Sequence, residues 1–256
     1  MGAGHAHPLY VHGHSPIHHL APEVKIAAAV AYIAAAAVTP RQAIWAFGVQ
    51  AAGVAAAIAV ARLGPRFVLR RLTVVVPFVA FALCIPFIAS GERIDVVGLS
   101  LSREGLWGAW NVVSKATIGA SVSILLAGTT EVPRLLTGLS RLRVPGTLTA
   151  IAAFMVRYLE VIAGELGRMR TAMAARGYAP RWLWQARPVA TSAGALFVRS
   201  YERGERVHAA MLSRGYTGTM PDLGGRRATA REWILAAAAS GVAWLVALAA
   251  ITGTGA

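Results

Sequence analysis

Charged residues are scarce in this sequence of 256 residues, and acidic residues are the scarcest. Only 14% of the chain is charged, with 11 Asp and Glu against 25 Lys and Arg. Soluble domains carry about 25% charged residues, and the mean hydropathy of this chain is +0.56. An ordinary soluble protein is therefore excluded, and we expect a membrane protein.

Cysteine and nucleotide-binding motifs are also scarce or absent. Cys84 is the only cysteine, which excludes a disulfide framework and favours a small lipid- or core-facing side chain. The sequence has no G-x-x-x-x-G-K-[ST] loop for phosphates and no acidic cluster for magnesium. ATP hydrolysis therefore cannot be placed in this chain, and we expect the chain to bind no cofactor of its own.

Apolar runs make up much of what is present, and they predict an all-α polytopic membrane protein with about five transmembrane helices. The predicted spans are residues 24–38, 43–61, 72–90, 105–128 and 232–251. The ten-residue loop 62–71 carries four Arg, whereas loop 91–104 has a net charge of −1. The positive-inside rule then places the N-terminus inside and the C-terminus outside.

Most of the positive charge lies in one block before the last span. Between Arg134 and Arg231 there are 16 Arg and 5 acidic residues, which gives +11 of the chain's formal charge of +14. Such a block between hydrophobic spans is typical of a cytoplasmic domain. We predict a His-rich tail at 1–23, four spans at 24–128, a cytoplasmic domain of long amphipathic helices at 129–231, and a last span at 232–256.

This basic block contains the same phrase twice, 38 residues apart. The copies are Arg168-x4-Met173-x2-Arg176-Gly177-Tyr178 and Arg206-x4-Met211-x2-Arg214-Gly215-Tyr216. Arg suits the negative end of a helix dipole and Gly suits a C-cap, so each phrase predicts a helix end. Capping explains Arg-Gly but not the recurring Met, Tyr and upstream Arg. We interpret the repeat as two docking ends for two similar receptors, comprising Ala175, Arg176, Gly177 and Tyr178, and Ser213, Arg214, Gly215 and Tyr216.

An apolar seam with helical spacing precedes the first of these ends. Its residues recur at steps of three and four: Leu148, Ile151, Met155, Leu159, Ile162, Leu166, Met169 and Met173. This spacing predicts one long amphipathic helix, and a less regular second helix follows at about 189–214. The two helices are expected to cross.

The fourth predicted span has a polar stripe that includes Asn111, Ser114 and Lys115. Polar groups at membrane depth are costly unless they face a partner or a cavity, so the stripe is a candidate contact for another membrane subunit. The alternative is that Lys115 extends toward the interface along a tilted helix.

The N-terminal tail carries six of the seven histidines. Its His-x-His pairs, His5 with His7 and His12 with His14, could hold nickel or cobalt through neutral imidazoles. The alternative is a polar tail without a metal site.

Taken together, these features resemble the transmembrane T component of energy-coupling-factor (ECF) importers, the EcfT/CbiQ family, over essentially the whole chain. Residues 174–178 (AARGY) and 212–218 (LSRGYTG) are similar to the family's paired Ala/Ser-Arg-Gly signatures. Residues 15–25 are similar to its S-P-L-H-R-L-D-P-R-x-K entry, with Ala21 and Glu23 in place of Asp and Arg. Segments 98–105 and 141–145 look closest to the CbiQ branch, which serves cobalt or nickel.

The resemblance implies a non-catalytic coupling subunit in the bacterial cytoplasmic membrane. Two cytosolic ATP-binding-cassette subunits (CbiO-like) would hold ATP and Mg²⁺, and their grooves would receive Arg176 and Arg214. Their closure would move the two coupling helices, which would reorient a CbiM-like substrate-binding S component in the lipid bilayer. The resemblance also allows for a small CbiN-like accessory subunit.

Three other functions are compatible with parts of the sequence. A T subunit for a vitamin importer differs only in its S component. A membrane-anchored nucleic-acid-binding protein should interleave aromatics with a basic stripe, whereas the Arg residues here are spread around amphipathic helices, so no nucleic acid is predicted. A membrane enzyme would need an acid/base pair, and the only candidates are Glu160, Glu165, Glu202 and Glu205. Their spacing beside Arg predicts a solvated helix face instead.

Overall fold

The computed structural model describes residues 10–89, 93–96, 99–178, 182–218 and 226–254. These residues form ten α-helices, two short 3₁₀ turns and one two-stranded hairpin. The helices are α1 Pro16–His19, α2 Pro22–Val38, α3 Ile44–Val60, α4 Pro65–Leu72, α5 Val76–Ile88, α6 Arg103–Thr129, α7 Val132–Arg141, α8 Gly146–Ala175, α9 Arg187–Leu212 and α10 Ala230–Thr254. The antiparallel strands β1 Arg93–Val96 and β2 Leu99–Ser102 pair with Arg93 opposite Ser102. The predicted all-α fold class is confirmed, with this hairpin as a small addition.

Four helical stretches in the described ranges are long and apolar enough to cross a membrane. They are Pro65–Ile88, Arg103–Thr129, Gly146–Ala175 and Ala230–Gly253. Three of them cover predicted spans, and α3 is a shorter apolar helix of 17 residues. The remaining stretch, Gly146–Ala175, lies in the segment that the charge pattern assigns to the cytoplasm. The side of the membrane on which α8 lies is therefore a prediction that labelling can test.

The segment predicted as a ten-residue loop before the third span is largely helical. Helix α4 begins with Pro65, whose missing backbone N–H is tolerated in a first helical turn. Arg71 lies over the ring of Phe67, with its guanidinium carbon 3.5 Å from the ring centre, in a cation–π contact. The loop prediction was wrong because the Arg residues were read only as charge, although Arg66 and Arg70 have helical spacing.

The described residues divide into two compact units, one formed by 10–138 and 226–254 and the other by 139–218. In the first unit, α2, α3 and α6 pack through Ala36, Phe47, Val54, Ile118 and Val122. Gly53 leaves room for Tyr32, whose hydroxyl donates to the backbone carbonyl of Gln50 at 2.6 Å. Small residues permit this close approach of apolar helices.

Lys25 joins the start of α2 to the end of α6. The ammonium group is buried and donates to the backbone carbonyls of His18 at 3.2 Å and Thr129 at 3.0 Å, and to the Thr130 hydroxyl at 3.1 Å. A cation beside the last carbonyls of α6 also complements the helix dipole. Lys25 thereby fixes where these two helices meet.

The two departures from the family's entry pattern both contact the start of α10. The Glu23 carboxylate accepts from the backbone N–H of Ala228 at 2.9 Å. The Ala21 backbone N–H donates to Glu232 at 3.3 Å, and Glu232 also pairs with Arg226. The entry segment therefore has a structural role in this chain, since it binds the start of α2 to the start of α10.

Candidate coupling site at two matched helix ends

Helix α8 ends in a Schellman cap formed by the first Arg-Gly-Tyr phrase. The backbone N–H of Tyr178 donates to the Met173 carbonyl at 3.1 Å, and that of Gly177 to the Ala174 carbonyl at 3.0 Å. Gly177 has φ of +80°, a left-handed conformation that glycine adopts without steric cost. Ala175 is the last helical residue, and the chain turns away after Arg176.

Helix α9 ends in the same cap. Tyr216 donates to the Met211 carbonyl and Gly215 to the Leu212 carbonyl, both at 3.0 Å, and Gly215 has φ of +81°. The Ser213 hydroxyl donates to the Ala210 carbonyl at 3.0 Å. The repeated phrase therefore produces the same backbone geometry twice, which confirms both predicted helix ends.

The cap accounts for more of the repeated phrase than the sequence suggested. A Schellman motif commonly includes an apolar contact between the residue after its glycine and the residue whose carbonyl accepts the longer bond. These positions hold Tyr216 and Met211, which line the same cavity. In the other copy the Tyr178 hydroxyl donates to the Gln185 carbonyl, so the cap accounts for Gly in both copies but for Met and Tyr only at the end of α9. The cap uses only the backbone of the arginine, so the arginine side chain needs another reason.

Both arginine side chains are free in the part of the chain that the structure describes. Arg176 and Arg214 are exposed, and neither guanidinium group has a hydrogen bond or ion pair there. A guanidinium carries five N–H donors in a planar fork that matches a carboxylate in two parallel bonds. Each helix end thus presents an unpaired bidentate donor to the solvent.

The two arginines lie at opposite ends of an antiparallel helix pair. Near the end of α8, the Ser192 hydroxyl lies 3.5 Å from the Met173 sulfur. Near the end of α9, Met211 lines a cavity together with Phe154 from the first half of α8. Ser192, beside the end of α8, precedes Arg214 by 22 residues, which is roughly 33 Å at 1.5 Å per residue. That distance along α9 separates the two Arg-Gly-Tyr ends.

The two tyrosines make different contacts. The Tyr178 hydroxyl donates to the backbone carbonyl of Gln185 at 2.6 Å, which ties the end of α8 to the start of the next helix. Tyr216 instead lines a cavity of about 450 Å³ between α8 and α9, with Tyr158 and Met211. The backbone caps match, but their side-chain surroundings do not.

The predicted apolar seam is mostly uncovered. Of its eight residues, five are exposed and three are half-buried; the exposed ones are Leu148, Ile151, Met155, Leu159 and Leu166, and the half-buried ones are Ile162, Met169 and Met173. Helix α9 packs against α8 through Tyr158 and Glu165, and two half-buried seam residues, Ile162 and Met173, also face α9. The five exposed seam residues form an open apolar face within the described residues, and the role of the seam in transmitting motion stays a prediction.

Glu165 does not lie on a solvated helix face, and that interpretation was wrong for this residue. Glu165 is only 8% exposed. Its carboxylate pairs with Arg199 at 3.1 Å and with Arg203 at 3.2 Å. Glu202 fits the expectation, since it is exposed and pairs weakly with Arg206 at 3.9 Å. The sequence could not distinguish them, because both are glutamates on helices rich in Arg.

The polar stripe of α6 makes contacts inside the first unit. The Lys115 ammonium donates to the Ala37 carbonyl in the last turn of α2 at 2.6 Å. Ser114 is buried, and Oδ1 of Asn111 is buried without a hydrogen-bond partner in the described ranges. Lys115 and Ser114 are thus occupied within this unit, and a contact of the stripe with another subunit stays a prediction.

The histidine tail is described only in part, because His5 and His7 lie outside the described residues. His12 packs edge-on against Tyr10, and His14 stacks on His19. The described residues contain no group of three or more His, Cys, Asp or Glu side chains that could hold a metal ion.

The His18 side chain makes structural hydrogen bonds within the N-terminal segment. It is buried and hydrogen-bonds Ser15 at 2.7 Å and the Val11 carbonyl at 3.1 Å. Burial lowers its pKa, and the nearby Lys25 acts in the same direction, although the Val11 carbonyl opposes this. The ring is therefore neutral at physiological pH.

Several known proteins are similar to this chain in sequence. The chain is 32% identical over 148 residues to the cobalt transport protein CbiQ of Rhodobacter capsulatus, which covers 56% of this chain and 60% of that relative. It is 26% identical over 173 residues to a putative fused cobalt transport protein CbiMQ of Methanocorpusculum labreanum, which covers 64% of this chain and 29% of the relative.

The chain thus spans at most about three fifths of the curated relatives it matches. The match to the family itself is longer and covers both helix ends. The family model for the cobalt transport protein CbiQ matches residues 13–223, and the chain therefore belongs to the CbiQ family of multi-pass membrane proteins.

Proposed function

We propose that this chain is the coupling (T) subunit of an ATP-driven energy-coupling-factor importer for cobalt or nickel ions. The observation that carries the proposal is the pair of free guanidinium groups at matched caps on opposite ends of one helix pair. Two similar helix ends suit two similar receptors, as a dimer of ATPase subunits would offer. The chain itself transmits motion and catalyses no reaction.

The partners follow from the same arrangement. Arg176 and Arg214 each dock in a groove of one CbiO-like ATPase subunit, where an acidic residue accepts the guanidinium fork. A hydrogen bond to a charged group contributes about 1.5–3 kcal/mol. ATP and Mg²⁺ bind the ATPases, whose closure displaces the two helix ends.

A CbiM-like S component receives this motion in the membrane. The fused CbiMQ relative supports this partner, because its name joins the two components in one chain. A small CbiN-like subunit completes the assembly. The open apolar face of α8 gives the S component a surface to contact, and the chain lies in the bacterial cytoplasmic membrane with its N-terminus inside.

Co-purification with the ATPase pair tests the docking role. Changing both Arg176→Glu and Arg214→Glu should abolish retention of the ATPases and cobalt uptake, because each acidic groove would then face a like charge. The matched control is Arg168→Glu with Arg206→Glu. These exposed residues lie eight positions earlier in each repeat, so the control changes the net charge equally. The control should retain the ATPases.

Equal retention by the parent and both double variants would reduce the repeated phrase to helix capping. Loss of the ATPases from both double variants would instead assign the interaction to the overall charge of the basic block. Membrane insertion of every variant is checked by its abundance in the membrane fraction.

A further inference from the structure

The contacts between α8 and α9 follow the symmetry of the repeated phrase. A shift of 38 residues, which superimposes one Arg-Gly-Tyr phrase on the other, also carries Glu165 onto Arg203. These equivalent residues bond to each other across the helix pair at 3.2 Å. The same shift carries Phe154 onto Ser192.

The flanking contacts obey the same relation. Ser192 contacts Met173 on one side of this ion pair. The shift of 38 residues relates Ser192 to Phe154 and Met173 to Met211. Phe154 and Met211 line the cavity on the other side of the ion pair. The two helices are thus related by an approximate two-fold axis that passes through the contact of Glu165 with Arg203.

This position divides the helix pair into two equal arms. Glu165 precedes Arg176 by eleven residues, and Arg203 precedes Arg214 by eleven. Each arm is therefore roughly 16 Å long at 1.5 Å per residue. A rotation about the contact would move both Arg-Gly-Tyr ends by the same distance.

The contact is also the main buried interaction between the two helices. The buried residues of α8 are Ala150 and Glu165, and α9 has none. Glu165 accepts from Arg199 as well as Arg203, which fixes the carboxylate between two guanidinium groups on successive turns of α9. An apolar contact could slide, whereas this ion pair has one preferred geometry.

The room for movement lies on one side of the contact. Between Arg203 and the end of α9 the helices line the half-open cavity of about 450 Å³. On the other side Met173 and Ser192 already touch. Closure of the cavity would swing the Arg214 end toward the first half of α8 without breaking the ion pair.

We propose that Glu165, held by Arg199 and Arg203, is the pivot of the two coupling helices and positions Arg176 and Arg214 for joint movement. This role rests on the proposed coupling function. It assigns the pivot to a carboxylate that touches neither an ATPase nor the transported ion. Equal charges at these two equivalent positions would repel, which accounts for a Glu in one repeat and an Arg in the other.

The test uses the full complex, with this chain, its ATPase pair and its S component in membrane vesicles and Co²⁺ as the probe. Glu165→Gln should retain the ATPases but lower cobalt imported per ATP hydrolysed by about tenfold or more, because two guanidinium groups lose their shared partner. Glu160→Gln, an exposed glutamate on the same helix, should leave this ratio unchanged. Exchange of all three charges, Glu165→Arg with Arg199→Glu and Arg203→Glu, keeps one group between two of opposite charge and should restore at least half of the ratio.

A disulfide measurement reports the pivot independently of transport. Met173→Cys with Ser192→Cys in a Cys84→Ser background should cross-link readily with native Glu165, slowly with Glu165→Gln, and readily again with the charge exchange. An unchanged cobalt-to-ATP ratio in Glu165→Gln overturns the pivot, as does failure of the charge exchange to restore it. If the parent complex neither holds ATPases nor imports cobalt, the proposed function fails, whereas the cross-linking rates still decide whether Glu165 fixes the helix crossing.

Discussion

At the residue scale, the glycine and tyrosine of each Arg-Gly-Tyr phrase form the helix cap, whereas the arginine side chain remains unpaired. Gly177 and Gly215 are required by their positive φ values, and each following Tyr completes the cap through its backbone N–H. Arg176 and Arg214 contribute no side-chain bond within the described residues. An exposed, unpaired arginine at both matched positions is the residue-level signal for a partner.

Substitution of two glycines by alanine should change stability in opposite directions: Gly215, in the cap after α9, and Gly194, inside α9. Gly215→Ala should destabilise the chain by about 1 kcal/mol, because alanine pays a steric cost at positive φ. Gly194→Ala should stabilise it by up to about 1 kcal/mol, because Gly194 lies inside the helix with open space around it. Thermal unfolding of the detergent-solubilised chain should show midpoint shifts of opposite sign. Shifts of the same sign would contradict the cap geometry.

At the element scale, α8 has two faces with different tasks. One face contacts α9 through Glu165 and the cavity-lining aromatic residues. The other is the open seam, where Met155 and Leu159 are each 67% exposed. An apolar face that remains open is a surface for a partner or for lipid rather than part of this chain's own core.

Substitutions on the open face should weaken binding of the S component without changing the stability of the chain itself. Met155→Ser with Leu159→Ser should change the stability of the isolated chain by no more than about 0.5 kcal/mol, since both side chains are largely exposed. The same variant should lose the S component during co-purification, because the contact loses apolar area. The control, Met155→Leu with Leu159→Met, keeps the face apolar and should retain the S component. Retention by both variants would assign the S component to another surface.

At the scale of the whole molecule, the path of the chain across the membrane is set by charge as well as by length. Helix α8 is long and apolar enough to cross, yet it belongs to the block that carries +11. The positive-inside rule keeps such a block in the cytoplasm. Both ends of α8 should then lie on the same side.

Cysteine labelling in intact cells tests this topology in a Cys84→Ser background. An impermeant thiol reagent should label Gln42→Cys in the loop before α3. It should reach Arg143→Cys, Arg170→Cys and Glu205→Cys only after permeabilisation. All four parent residues are exposed, so access depends on the membrane rather than on burial. Labelling of only one of positions 143 and 170 in intact cells would show that α8 crosses the membrane.

The sequence predicted the helices well because their signals are local. Runs of apolar residues, the spacing of the seam and the Gly after each Arg gave α2, α3, α6, α8, α9 and α10 close to their observed bounds. Helix α4 was missed because its Arg residues were read as loop charge. The hairpin of β1 and β2 was missed because four-residue strands have little periodicity to detect.

The sequence by itself determined the membrane class, the order of helices and the two matched Arg-Gly-Tyr ends, because composition, helix periodicity and capping depend on neighbours within a few positions. Only the tertiary structure decided that Glu165 is buried between Arg199 and Arg203, that Lys25 joins α2 to α6, and that the seam of α8 stays open. These features depend on which helix packs against which face. A pair of residues 38 positions apart becomes a contact only when the chain folds back on itself.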